Sequence, residues 1–249
     1  MRPGPTGRDY RQALISLCLL AGLGWALIFW SLSNMSSPLV ALTMPADSFW
    51  SVREIVAVWL MWAVMMGAMM LPSALPILAV HRKIARHRDP ATPGASRWFV
   101  AGYLMGWALF SAAAAAAQWG LQQAGILSHM LRLESPAVSA AILIFAGAFQ
   151  FTSLKTACLN KCRTPMGFIL TEWRPGRSGA FRMGISHGKY CIGCCWALML
   201  VLFVGGVMNL TVIAVLTTIV LAEKVLPRGD ITARIGGLVL ILWGLALII

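Results

Sequence analysis

The chain has 249 residues, of which 59% are hydrophobic and only 11% charged, and its mean hydropathy is +0.78. That balance excludes a soluble globular domain, and the long unbroken apolar runs exclude an outer-membrane barrel, whose strands alternate. The formal net charge is +12, but the basic residues fall in short connections between apolar runs. They read as topology signals and contacts to anionic lipid, with no nucleic-acid partner implied.

Met1 to Arg11 is a short polar head with Arg2, Arg8 and Arg11, followed by an apolar run from 13 to 32. The run is long for a signal-peptide core and has no clear small-x-small cleavage site, so it reads as an uncleaved first span. Cys18 lies alone in it and reads as a small buried apolar residue. After a connection containing Asp47, a second span covers 55–80. It holds Met61, Met65, Met66, Met69 and Met70, followed by Pro72 and Pro76. Met61, Met65 and Met69 share one helical face and Met66 and Met70 a second. Each proline deletes a backbone hydrogen bond, so the span is expected to kink and release carbonyls that protein or water must satisfy.

The connection 81–97 is basic, with Arg82, Lys83, Arg86, Arg88 and Arg97 against Asp89. His81 and His87 read as solvated loop residues there. A third span, 98–120, contains the alanine run 112–117, which permits close helix approach. His129, Arg132 and Glu134 lie in the next connection, and 136–152 makes a fourth span. The stretch 153–190 reads as the longest connection and carries seven basic residues against Glu172 alone. Its segment 164–173 is apolar enough to lie at the interface or re-enter. The positive-inside rule places these basic connections and the N-terminus in the cytoplasm. Spans over 191–207, 210–222 and 235–249 complete an all-α polytopic transmembrane bundle of about seven spans, with six as the alternative if 191–222 is a single span. Without repeats or composition breaks, 1–249 reads as one integral membrane domain.

Acids are nearly absent from these spans, which argues against a buried carboxylate relay. Glu54 and Glu223 sit at span ends, where solvation or a neighbour such as Lys224 accounts for them. No phosphate loop, haem-attachment motif, zincin motif or nucleophile elbow occurs, so an enzyme of those classes is not expected. What remains is sulfur and imidazole. His187, Cys191, Cys194 and Cys195 fall within roughly 100° of arc on one helix, at the mouth of a span, with Lys189 on the far side as an electrostatic aid to the thiolates. Cys158 and Cys162, spaced i, i+4, leave the fourth span at the same side. Thiolate and thioether ligands select Cu(I), while thiolate with imidazole also suits Zn(II). The ligand set expected is therefore Cys191, Cys194, Cys195 and His187, with Cys158 and Cys162 completing the site or receiving the ion. Met65, Met66, Met69 and Met70 would be weaker ligands within the bilayer.

The stretches Met65-Met-Gly-Ala-Met-Met-Leu-Pro72 and His187-Gly-Lys-Tyr-Cys-Ile-Gly-Cys-Cys-Trp-Ala-Leu-Met199 resemble the predicted metal-binding integral membrane proteins of bacteria. Gly206-Val-Met-Asn209 and Glu223-Lys-Val-Leu-Pro227 extend the likeness. This family of unknown function is sometimes labelled copper chaperones. The resemblance implies an inner-membrane protein that handles copper, with zinc as runner-up. Its partners would be the lipid bilayer, the metal ion and a metallochaperone or metalloenzyme assembly partner. Two other classes stay open: a membrane thiol oxidoreductase cycling Cys191 and Cys194, and an assembly subunit whose sulfurs are packing.

Overall fold

The computed structural model describes residues 7–45, 49–128 and 130–248, and it is helical throughout apart from an isolated bridge between Leu127 and Leu133. Asp47 and His129 lie outside the described residues, as does most of the polar head. Helix α1 spans Gly7–Ser33, a short α2 Pro38–Ala41, α3 Val52–Met70 and α4 Leu75–Arg88. Then follow α5 (Ala95–Gln123), α6 (Pro136–Phe149), α7 (Ser153–Arg163) and α8 (Pro165–Glu172). The chain closes with α9 (Gly176–Gly205), α10 (Leu210–Val225) and α11 (Gly229–Ala246). Five of these, α1, α3, α5, α9 and α11, are long and apolar enough to cross a membrane, and the pair α6 and α7, bent by 61°, makes a sixth. The expected architecture, an all-α polytopic bundle, is the one observed. Cys18 does not pack inside it but faces outward from α1.

The second apolar run is broken where its prolines require. Ser51 caps α3 reciprocally with Glu54, the backbone N–H of Ser51 donating to Oε2 at 2.7 Å. At the other end Pro72 brings no N–H, and the chain tightens into a 3₁₀ turn over Pro72–Ala74 before Pro76 opens α4. Ala74 N–H donates to Leu71 at 3.0 Å, which frees the Met70 carbonyl from its i+4 partner. That carbonyl takes the Ser73 hydroxyl at 2.8 Å and the Tyr103 hydroxyl, donated from α5, at 3.2 Å.

The tightest crossing joins α5 to α9 and comes from glycines, not from the alanine run expected to supply it. Gly102 and Gly106 on α5 face Gly184 and Gly188 on α9, each pair spaced i, i+4. A Cβ at Gly102 would collide with the Phe181 carbonyl, one at Gly184 with the Phe99 carbonyl, and one at Gly106 would rest 3.7 Å from Gly188 Cα. Small residues of this spacing let backbones touch, which is how helices associate where lipid removes the hydrophobic drive. The crossing sets Tyr103 against the middle of α9.

The stretch expected to be the longest connection is largely helix. It contains α7, α8 and the first half of α9, and α9 then runs without interruption through Cys191 to Gly205. The thiols are thus not at a helix mouth. Cys191 lies halfway along α9, about 22 Å from its first residue at 1.5 Å rise per residue. Gly206, at φ 95°, turns the chain into α10, and Asn209 caps it by accepting from the N–H groups of Thr211 and Val212.

Candidate metal centre

Helices α3, α5, α7, α9 and α10 meet around Cys191. Cys191, Cys194 and Cys195 are all fully buried, because their face of α9 is covered by α7 and α5. Cys194 and Cys195 both donate their thiols to the Cys191 carbonyl one turn earlier, at 3.1 and 3.0 Å. From α7, the half-buried Cys162 lies close to the thiols of Cys191 and Cys194. Cys158, one turn before it, rests on Gly193, where an added Cβ would lie 2.7 Å from the Cys158 sulfur. The two cysteine groups named from sequence therefore come together at one place. Met65, Met66, Met69 and Met70 are all buried, and Met70, at the end of α3, reaches the cluster.

Two side chains not singled out from sequence complete it. Tyr103 presents its hydroxyl to the Cys191 sulfur at 3.0 Å. Lys224 of α10 enters from the other side, its Nζ donating to Cys191 Sγ at 2.9 Å, to Ser73 Oγ at 3.3 Å and to Met70 Sδ at 3.9 Å. Lys224 is the cation beside the thiols, and the exposed Lys189 is not. Nor is Glu223 solvated: it is 1% exposed and takes Lys155, also 1% exposed, at 2.6 Å. The signal for both was an adjacent acid and base closing an apolar run, since charges are costly in such segments and are seldom idle there.

His187 stands one turn before Cys191, enclosed by the rings of Phe99, Tyr103 and Phe168 at centroid distances of 6.0, 5.8 and 5.2 Å. Its Nδ1 is buried without a hydrogen-bond partner. Such an orphan is uncommon and invites a ligand. His81, expected in solvent, is instead buried in α4 between Phe99 and Trp173, with Nδ1 3.1 Å from the Ser96 hydroxyl. Burial pushes its pKa down to about 4. His87 is exposed, as expected, and bonds the Lys83 carbonyl.

No group of three or more His, Cys, Asp or Glu side chains among the described residues is arranged to hold a metal ion as it stands. The sulfurs are turned onto one another, onto the Cys191 carbonyl and onto Lys224. The donor set is nevertheless soft, with four thiols and a thioether, which suits Cu(I). The four-ligand cage that zinc ordinarily takes is not formed by these residues, so zinc as runner-up gains no support.

A family model described as PpoB2, copper chaperone, matches residues 59–247. The chain belongs to this copper chaperone family. The match begins within α3 and ends one residue past α11, so it takes in every element that contributes to the thiol cluster. No curated protein and no solved structure matches the chain. Membership of the PpoB2 family agrees with the resemblance carried by the Met-rich and Gly-Cys-Cys-Trp stretches.

Proposed function

We propose that this protein takes Cu(I) as its cargo, holds it on the thiols of Cys191, Cys194 and Cys162, and passes it within a bacterial inner membrane. The observation that carries this reading is the convergence of four cysteines from two helices with the Met70 thioether, beneath a proline break that opens α3. Cys195 and His187 stand as further ligands, His187 through its unpartnered Nδ1. Cys158, against Gly193 on the outer side of the cluster, is suited to receive or deliver the ion. Met65, Met66 and Met69 continue the line of soft donors into α3.

The residues around the cluster have distinct tasks. Tyr103 holds the broken end of α3 to α9 by bridging the Met70 carbonyl and the Cys191 sulfur. The Cys191 carbonyl accepts from the thiols of Cys194 and Cys195, and these thiols must give up protons when metal binds. The apolar rings around His187 keep water from its free nitrogen. Delivery to a metallochaperone or an assembly partner is part of this proposal.

Full-length protein purified in detergent under reducing conditions should retain copper near one equivalent by elemental analysis. Replacing Cys191, Cys194 and Cys195 together by Ser should remove it. Wild-type copper content in the triple variant would overturn the assignment. A metal-free wild type whose Cys191 and Cys194 alternate between alkylatable and disulfide forms would establish the oxidoreductase reading instead.

A further inference from the structure

Lys224 stands inside the thiol cluster as a tethered cation. The Ser73 hydroxyl proton is committed to the Met70 carbonyl at 2.8 Å, so Ser73 accepts from Lys224, and the Met70 thioether offers only lone pairs. With Cys191 Sγ as the third acceptor, the three N–H groups of an ammonium are each engaged. The adjacent acid does not cancel this charge. Glu223 Oε2 is taken by Lys155 at 2.6 Å, and that pair is contributed by α7 and α10 as a unit of its own. Whatever occupies the thiols therefore lies next to a positive charge in a site shielded from water.

We propose that Lys224 makes this site discriminate by ionic charge, favouring a soft monovalent cation over a soft divalent one. The proposal rests on the reading that the thiols hold a metal. Repulsion between the ammonium and a bound ion scales with the charge of the ion, so at the same position a divalent ion is repelled twice as strongly. The attraction between the ammonium and each thiolate is common to both ions and drops out of the comparison when the two engage the same number of thiolates. Ligand softness alone does not achieve this, since thiolates bind soft divalent ions as well. A lysine that merely braced α10 against α9 would leave the preference unaltered.

The test compares Ag(I) and Cd(II), soft ions of charge one and two that need no reductant, with Cu(I) and Zn(II) measured in parallel. Affinities for the full-length protein in detergent are taken by chelator competition and expressed as monovalent-to-divalent ratios, which cancel any change in folded fraction or thiol availability. Lys224→Gln should lower the Ag(I)/Cd(II) ratio at least about tenfold, equivalent to about 1.4 kcal/mol. Lys224→Arg, which keeps the charge, should preserve it. If Lys224→Gln does not fold, Lys224→Leu replaces it in the same comparison. A ratio unchanged on loss of the charge, or lost equally in Lys224→Arg, overturns charge selection while leaving the metal site standing. A wild type that binds none of the four ions overturns the metal reading and this proposal with it.

Discussion

Glu223 and Lys224 are neighbours in sequence, yet their side chains serve different partners, and each is open to a separate test. Lys155→Met would strand a buried carboxylate, and breaking a buried pair from one side typically costs about 3–5 kcal/mol. Thermal unfolding in detergent should register that loss, while the double variant Lys155→Met, Glu223→Leu should recover most of it, because two apolar side chains need no partner. His81 provides a pH test. Its folded pKa is about 4 against an ordinary 6.5, so the unfolded state binds the proton more readily. Its contribution to stability is therefore complete above about pH 6.5 and is lost as the pH falls through 4, in all about 3 kcal/mol. The melting temperature of wild type should drop over that window, and His81→Leu should flatten the drop. The cysteines were legible from spacing because thiols cluster by chemistry that sequence displays. Tyr103 and His81 were not, because what matters for each is the helix it faces, and Lys224 was legible only as half of an acid and base pair closing an apolar run.

At the scale of elements, the break in α3 was legible because two prolines four residues apart dictate it, and the methionines marked which face it would serve. The α5 and α9 crossing was also written in the chain, as Gly102, Gly106, Gly184 and Gly188, but the alanine run drew attention from it. Only in the folded bundle do Ala112, Ala113, Ala116 and Ala117 prove to face outward. The crossing carries the site, because it sets Tyr103 against Cys191. Gly184→Ala should force the helices apart, since the atom it meets is the Phe99 backbone carbonyl and not a yielding side chain. The expected result is a loss of about 1–3 kcal/mol, in line with other overpacked contacts, together with reduced copper retention. Gly120→Ala, on α5 with nothing within 4 Å, should change neither. The Met face has its own prediction: Met65→Leu with Met69→Leu nearly conserves volume, so fold and tight site should persist while copper delivery in cells slows. Copper flux equal to wild type would make these methionines core filler.

Across the whole molecule, the helix ends sort into two groups, and this sorting decides how many times the chain passes through the membrane. At one end Leu133 N–H donates to the Phe203 carbonyl at 2.8 Å, and Gln122 reaches the Pro45 carbonyl at 3.1 Å. At the other, Gly176 N–H donates to Asp89 at 2.7 Å, and Arg163 donates to the Leu226 and Pro227 carbonyls. The second end collects the basic residues of α4, α7 and α8–α9, including Arg86, Arg88, Lys161, Arg163, Arg174 and Arg177. Helix α10 leaves α9 at the first end and arrives at the second beside Arg163, so it traverses the bundle although its 16 residues span only about 24 Å. Counting it with the five long helices and the bent pair would give seven passages, one more than the six that length and hydropathy allow. The shortfall of α10 is tolerable because its inner face, through Ile213, Leu216 and Val220, is buried in protein. The positive-inside rule predicts that the basic end faces the cytoplasm. Reporter fusions after Arg88, Arg177 and Pro227 should then all report inside, and fusions after Arg132 and at the C-terminus outside. The fusion after Pro227 is the decisive one. An outside signal there would mean that α10 does not cross, which would remove Lys224 from the depth at which it meets Cys191. An inside signal places the thiols at the level where α10 ends, beside Lys224 and close to Arg163, so that an ion reaches them sooner from the basic end than from the opposite one.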